Sequence, residues 1–370
     1  MNQELKMQRF LAAQEALKKH GSVRKAAASL GMPASSFQHW MVNPLAGDPI
    51  ASYTPAPGFR VHSSSVLLGP EGEVRSSRLS MKRDEDTSAL VEGLKEAFAP
   101  FRGKATFAPK KYATIWDDSL LTVYPIPDLH FGMYAWKPES GADYDTDIAS
   151  DIAELAVQQL VAQSRSSKYA VVLGLGDYFH ANDRREVTLA SGHKLDMDGR
   201  WMKVVSEGCK LARRLIDHVA DKHPETEVVF IQGNHDPDSS VALTVAMSLF
   251  YENHTGISVT ENANLIWHRL FGRNLLAAHH GHTMTKERFV MSVASDYAKE
   301  WGQSTYRHGL MGHIHHETSK EIAGMRCESF QTPAAKDSFN AGNGYRSGRS
   351  MTAITFDKDQ GEIGRHRVNI

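Results

Sequence analysis

Cysteine is nearly absent: the 370-residue chain has two, Cys209 and Cys327. Two thiols exclude a disulfide scaffold and a cysteine-built zinc module, and they fit a reducing cytoplasm. No run of 18 apolar residues occurs, so nothing reads as a membrane span. The first ten residues are polar, so no signal peptide is expected. Net charge is also lacking, because 42 basic residues meet 43 acidic ones and leave −1. Contact with nucleic acid would therefore need a local basic patch. Hydrophobic residues at 41% and charged residues at 23% are ordinary globular values and argue against disorder of the whole chain. Histidine is what the chain has in excess, with 19 residues, 16 of them from His130 to His366. It is the commonest metal ligand, so the composition directs the search to metal sites.

The sequence divides into 1–43, 44–115 and 116–370. In the first part, Phe10, Leu11, Ala13 and Leu17 have helical spacing within Glu4–Lys19. Ser22 can N-cap a second helix, Val23–Leu30, and Gly31-Met32-Pro33 is a turn into a third that reaches Val42. This is a helix-turn-helix arrangement, with Ala27 at the crossing and Leu30, Met32, Phe37 and Trp40 as its apolar seam. Residues 1–50 hold six basic and three acidic side chains, a local excess opposite in sign to the whole. Arg24, Lys25, Ser35, Ser36, Gln38 and His39 are the candidate DNA contacts. The segment is similar to helix-turn-helix units of transposases and terminase small subunits. The alternative is a helical hairpin for packing, or for a homo-oligomer formed through this unit or the hairpin that follows.

The middle part is a linker (Pro44–Pro57), a hairpin (Val61–Leu68 and Glu73–Met81 about Gly69–Gly72) and a short helix within Asp84–Phe101. From 116 onward strands and helices alternate, the mark of an α/β layered domain. Strands are expected at Leu120–Pro125, Tyr169–Leu175, Glu227–Gln232, Asn274–His279, His308–Met311, Met325–Phe330, Met351–Phe356 and Ile363–Val368. Helices are expected at Thr146–Ser164, Met197–Ala220, Ser239–Asn253 and Lys286–Trp301.

Five strand ends carry polar clusters. In order they are Asp128-Leu129-His130, Gly176-Asp177, Gly233-Asn234-His235-Asp236, His279-His280-Gly281-His282 and Gly312-His313-Ile314-His315-His316. From Asp128 to Asp177, Asn234, His280 and His313 the successive intervals are 49, 57, 46 and 33 residues, each long enough for a strand–helix–strand crossover. All five clusters are then expected at one edge of one sheet. Nitrogen and oxygen donors of this kind suit Mn²⁺, Fe²⁺ or Zn²⁺ rather than a soft metal.

With these motifs in this order, residues 118–330 resemble a calcineurin-like metallophosphoesterase. The resemblance implies a four-layer αββα sandwich, preceded here by the small all-α helix-turn-helix domain. It implies two divalent ions, most simply Mn²⁺: Asp128, His130 and His315 on one, Asn234, His280 and His313 on the other, and Asp177 bridging. Hydroxide activated by the metals would attack the phosphoester. His235 becomes the proton donor to the leaving group and Asp236 its orienting partner. His279 and His316 read as structural and surface residues. After Gly176-Asp177 the text departs from the Ser/Thr protein phosphatases, which have Asp-Arg-Gly there. It is closer to DNA-repair exonucleases and to phage and prophage phosphoesterases with an N-terminal helix-turn-helix. His180, Asn182, Arg184, Arg200 and His282 follow as candidate substrate contacts, with Arg185 a further basic residue nearby. The expected function is a phosphodiesterase, a phage or prophage nuclease acting on DNA in a bacterial or infected-host cytoplasm. The alternatives are a phosphomonoesterase or small-nucleotide phosphodiesterase, and a DNA-binding regulator with an inactive phosphoesterase domain.

Overall fold

The computed structural model describes residues 3–41, 59–68, 74–83, 95, 99, 115–189, 192–344 and 346–370. Two compact units emerge, Met1–Leu90 and Val91–Ile370. The expected linker at 44–57, the hairpin turn and nearly all of the helix expected within Asp84–Phe101 lie outside the described residues.

In the first unit, three helices, α1 (Gln3–His20), α2 (Val23–Ser29) and α3 (Ala34–Trp40), close on Ala13, Ala16, Ala26, Ala27, Phe37 and Met41. Ser22 is the N-cap of α2, its hydroxyl accepting from the Lys25 N–H at 3.4 Å. Gly31 turns the chain with φ +63°. Leu30, expected in the seam, is 37% exposed, and Leu11 faces solvent as well. Arg24, Lys25 and Ser36 are exposed; the side chains of Ser35, Gln38 and His39 lie outside the described set. The same unit holds the antiparallel pair β1 (Phe59–Leu68) and β2 (Val74–Arg83).

The second unit holds two sheets. The larger has the order β13-β12-β3-β4-β5-β6, built from β3 (Asp117–Ile126), β4 (Ser167–Gly174), β5 (Glu225–Phe230), β6 (Ile257–Val259), β12 (Ser350–Asp357) and β13 (Gly361–Asn369). Its strands β3 to β6 are parallel, and β12 and β13 are added antiparallel. The smaller has the order β10-β11-β9-β8-β7, from β7 (Trp267–Phe271), β8 (Asn274–His279), β9 (Tyr306–Met311), β10 (Thr318–Ile322) and β11 (Met325–Ser329).

Alternation along the strands explains the stacking. Leu121, Val123, Val171, Leu173 and Val229 point to one side of the larger sheet, where they meet Leu276, Ala278 and Leu310 of the smaller. Tyr124, Ile126, Val172 and Val228 point to the other side, against helices α5 (Thr146–Gln163), α6 (Trp201–Ala220) and α7 (Pro237–Tyr251), which follow the short α4 (Lys137–Ser140). Leu275, Ala277, Met325 and Cys327 leave the outer face of the smaller sheet to Phe289, Val290 and Val293 of α8 (Lys286–Asp296). Three apolar layers thus separate helix, sheet, sheet and helix. Two further short helices follow, α9 (Ala298–Gln303) and α10 (Ser338–Gly342). No helix among the described residues is long and apolar enough to cross a membrane.

The expectation of a single sheet edge is corrected. Three polar clusters follow β3, β4 and β5 of the larger sheet; the other two follow β8 and β9 of the smaller. The switch comes at β7, a strand too short and too mixed to be read from sequence. It pairs antiparallel with β8 through the turn Gly272-Arg273, so β8 begins a new sheet instead of crossing back to the first. Helix α6 starts at Trp201 rather than Met197, because Met197 pairs with Met133 and Gly199 takes φ +88°. Lys286–Trp301 divides at Tyr297, whose ring stacks on His268 with centroids 3.6 Å apart.

Candidate metal centre

The turns that end the strands are strained where the donors sit. Asp128, His130, Asp177, His313 and His315 all have positive φ, from 44° to 71°, whereas only Glu186 and Ala323 share that state among the other described non-glycine residues. Left-handed backbone costs a residue with a Cβ about 1–2 kcal/mol, and such strain concentrates at functional sites. Here it turns five side chains inward. The glycines of the motifs make the complementary close approaches. A Cβ on Gly233 would lie 2.0 Å from Asp177 Oδ1, and one on Gly312 would lie 2.6 Å from Asp128 Oδ2. Each gives its space to a carboxylate from a different strand end.

The donors converge in two sets. Asp128, His130 and His315 bring one ligand atom each within 4.8 Å of the others, and so do Asp177, His280 and His313. In the first set, Nε2 of His130 and Nε2 of His315 are 3.1 Å apart, and His315 Nε2 is 3.4 Å from Asp128 Oδ1. In the second, His280 Nε2 is 3.1 Å from Asp177 Oδ2 and 3.0 Å from Asn234 Oδ1. The chain anchors the His280 ring and both carboxylates. His280 Nδ1–H donates to the Leu175 carbonyl at 2.7 Å, and the His313 N–H donates to the Asp128 carboxylate at 2.9 Å. The His235 N–H donates to Asp177 Oδ1 at 2.8 Å. The Thr332 hydroxyl donates to the Asp128 carbonyl at 2.6 Å.

These donors fit divalent cations. First-row metal–ligand bonds of about 2.0–2.2 Å put neighbouring ligands about 3.0–3.4 Å apart, which matches the His130–His315, His280–Asn234 and His280–Asp177 separations. Burial, with help from His235 and His315, holds the His130 pKa well below the usual range. The ring is then neutral and its lone pair is available, as ligation requires. At His280 burial also acts against the cationic form. The Asp177 charge and hydrogen bond, with Asp128, outweigh it and raise the pKa to about 10. Asp177 answers in the opposite direction: burial opposes its ionisation, but His280 holds the carboxyl well below the ordinary carboxylate range. The pocket favours positive charge between its carboxylates.

Three sequence candidates have other places than expected. His180 is buried, with Nδ1 3.2 Å from Nδ1 of His130, and its carbonyl lies 2.8 Å from Nδ1 of His235. It positions two rings of the centre and lines the larger cavity beside them. Asp236 does not reach His235. Its carboxylate accepts the N–H groups of Asp177, Gly233 and Phe179 at 3.2, 3.0 and 3.0 Å, so it shapes the loop that carries Asp177. Asn182 is buried at the start of α7, its Oδ1 accepting from the N–H groups of Asp238 and Ser239 at 2.7 and 3.2 Å. It caps a helix, which a sequence of mixed loop residues does not disclose.

Arg184 and Arg200 are exposed. Arg185 is paired with Asp183 at 2.6 Å. The His282 ring centroid is 5.3 Å from His280 and 6.3 Å from His313, and its buried Nδ1 has no hydrogen-bond partner among the described residues. His279 is buried, with Nδ1 accepting from the Gly281 N–H at 2.9 Å, and His316 is exposed.

Two cavities meet at the centre, of about 430 and 310 Å³. Both are lined by His313, His315 and Ala335. The larger also has His193, Lys194 and Asp196 in its wall, from a loop held by a Val187–Lys194 bridge, and the smaller has Lys336. Sequence reading missed these residues, for they belong to irregular segments with no motif spacing.

Against known proteins, no family model and no curated protein matches the chain. Similar solved structures include a Streptococcus pneumoniae TIGR4 protein described as a predicted phosphoesterase. It is 11% identical, with 68% of this chain and 98% of that one covered and a TM-score of 0.29. Vps29 of Chaetomium thermophilum is 12% identical over 67% of this chain and 97% of its own, with a TM-score of 0.32. A structure described as a novel archaeal phosphodiesterase is 10% identical over 67% and 99%, with a TM-score of 0.34.

Proposed function

We propose that the chain is a phosphodiesterase dependent on two divalent metals, most simply Mn²⁺, and that it is a nuclease of the phage and prophage type acting on DNA. The observation that carries this reading is the convergence of two donor sets, each with a carboxylate and two imidazoles, at the mouth of two joined cavities. Asp128, His130 and His315 would hold one ion and Asn234, His280 and His313 the other, with Asp177, which lies with the second set, as the shared ligand of the proposal. When bound, a metal pair supplies Lewis acidity to phosphoryl oxygens and a strong nucleophile from water at neutral pH.

The protein's own groups do the rest. His235 lines the larger cavity and gives its Nδ1–H to the His180 carbonyl, which leaves Nε2 to carry a proton to the leaving oxygen. Two cavities either side of His313 and His315 suit the two substituents of a diester. His282 and the basic side chains Arg184, Arg200, Lys194 and Lys336 are candidate contacts for the strand. The first unit, with Arg24 and Lys25 exposed on α2, is the candidate DNA-binding element.

The test is a purified-protein assay with Mn²⁺ on labelled single- and double-stranded DNA and RNA, alongside mono- and diester dyes. Cleavage of DNA with loss of activity in chelator is the expected result. Hydrolysis of monoesters alone would replace the nuclease reading with a phosphomonoesterase.

A further inference from the structure

We propose that Arg349 and Lys336 make the smaller cavity a subsite for a second phosphate, one that is not cut, so that the preferred substrate is a phosphodiester carrying another phosphate nearby. This rests on the phosphodiesterase reading above and narrows its substrate.

The two cavities differ in charge. The larger has Asp196 and Asp337 in its wall besides Asp177. Among the described residues no carboxylate lines the smaller, whose charged side chains, apart from histidines, are Lys336 and Arg349. A cleft walled by one sign of charge concentrates counter-ions. His313 and His315 line both cavities, so an anion in the smaller lies next to the donors of the metal centre. The volume of about 310 Å³ is at the low end of the ~300–1,000 Å³ that hold small ligands, room for one phosphorylated group but not for a duplex.

Arg349 is held in place by the chain. Its Nε and Nη2 donate to the Pro333 carbonyl at 2.9 and 2.5 Å, and its Cζ lies 5.9 Å from the centroid of the buried Tyr144 ring, a cation–π distance. Its own carbonyl accepts the Ile370 N–H at 3.0 Å. The Pro333 segment is in turn tied to the centre. Thr332 donates its hydroxyl to the Asp128 carbonyl and accepts the Ala334 N–H at 2.9 Å. One short segment therefore sets the guanidinium relative to a candidate metal ligand.

The charge on this side chain is unmatched. Arg349 is partly buried, which lowers its pKa, yet neither it nor Lys336 has a carboxylate partner among the described residues. Arg365, also partly buried, is by contrast paired with both Glu328 and Glu362. A partly buried cation without a counter-charge costs stability that an anion would restore. The Nη1 group of Arg349 has no acceptor among the described residues, so the planar fork can meet phosphate oxygens, and Lys336 adds a point charge.

The experiment uses full-length protein in Mn²⁺: wild type, Arg349→Gln, Arg349→Lys and Lys336→Gln. The substrates are a thymidine dinucleotide with only its linking phosphate, the same with a 5′-phosphate, the same with a 3′-phosphate, and the trinucleotide. In wild type kcat/KM should rise about tenfold or more when the second phosphate is present. The substrate that gains shows whether a terminal or an internal phosphate fills the subsite. Both glutamine variants should bring that ratio toward one with metal content as in wild type, and Arg349→Lys should keep part of it. A wild-type ratio of one with every added phosphate, or a ratio unchanged in both glutamine variants, would overturn the subsite. If no diester is hydrolysed, the phosphodiesterase reading fails, and calorimetric titration of chelated protein with inorganic phosphate decides the subsite by itself. Affinity weakened about tenfold in the glutamine variants upholds it; equal affinity in all four proteins overturns it.

Discussion

The Nε2 atoms of His130 and His315 face each other across 3.1 Å, although 185 residues separate them in the chain. The other nitrogen of His130 faces His180 at 3.2 Å, so its Nε2 is left with His315 and the nearby Asp128 as partners.

Removing one of these rings should remove one ion. If the wild type holds the two equivalents proposed, His315→Ala is expected to hold one, with activity down by at least about a hundredfold. Elemental analysis of dialysed protein gives the answer directly. Two equivalents retained at wild-type affinity would show that His315 is no ligand.

Asp236 gives a prediction of a different kind, because its carboxylate serves three backbone N–H groups. Burial, followed by the Asp177 charge, pushes its pKa up to about 7 despite those bonds. Asp236→Asn puts an amide N–H where an acceptor is needed, at a cost of about 1–3 kcal/mol. Denaturant melts and metal titration should show lower stability and weaker binding at the Asp177 side together. Lower activity with both quantities intact would return Asp236 to the role of orienting His235.

His235 should separate chemistry from metal binding. His235→Asn is expected to retain two ions and to lose about 10²–10⁴-fold on an alkyl diester such as DNA, but far less on a nitrophenyl ester, whose leaving group needs no proton. Rates on both substrates and metal content from one preparation decide it. Equal losses would point to charge stabilisation at phosphorus instead of proton transfer.

The site was more legible in the sequence than the framework that assembles it. Asp128, His130, Asp177, Asn234, His280, His313 and His315 stand out because strand ends, glycine and spacing mark them locally. Their division between two sheets does not, since Trp267–Phe271 is five residues with one buried member and looks like loop. Asn182 and Asp236 were misplaced for a related reason. Apart from the Gly233 N–H beside Asp236, their backbone N–H partners are 56 to 59 residues away, and backbone leaves no trace in composition. The cleft walls at His193 to Asp196 and at Lys336 follow no period at all.

A buried histidine far from the centre sets an acid limit on stability. His223 is fully buried, with Nε2 2.7 Å from the Tyr124 hydroxyl and Nδ1 2.8 Å from the Ser167 carbonyl, partners that suit one neutral tautomer. Burial lowers its pKa from 6.5 to about 4. Between those values the unfolded chain holds the extra proton, so stability is complete above about 6.5 and falls as pH drops toward 4, by about 3 kcal/mol in all. Denaturant melts of chelated wild type and His223→Gln from pH 7 to 5 should differ in slope by about one proton. Parallel curves would mean that other groups carry the acid sensitivity.

Asp128, His130, Asp177 and Asn234 follow strands of one sheet, and His280, His313 and His315 follow strands of the other, with no strand of the first paired to any strand of the second. The gauge of the centre is therefore the thickness of the layer formed by Leu173, Val229, Leu276 and Leu310, as the jaws of a caliper are set by what lies between them. An ion held by donors from both sheets would in turn tie the jaws together and oppose their shear. Trimming Leu310 or Leu276 by a few methylenes would let the sheets settle closer, and the lost fit should be felt first as a change in which metal radius the centre prefers.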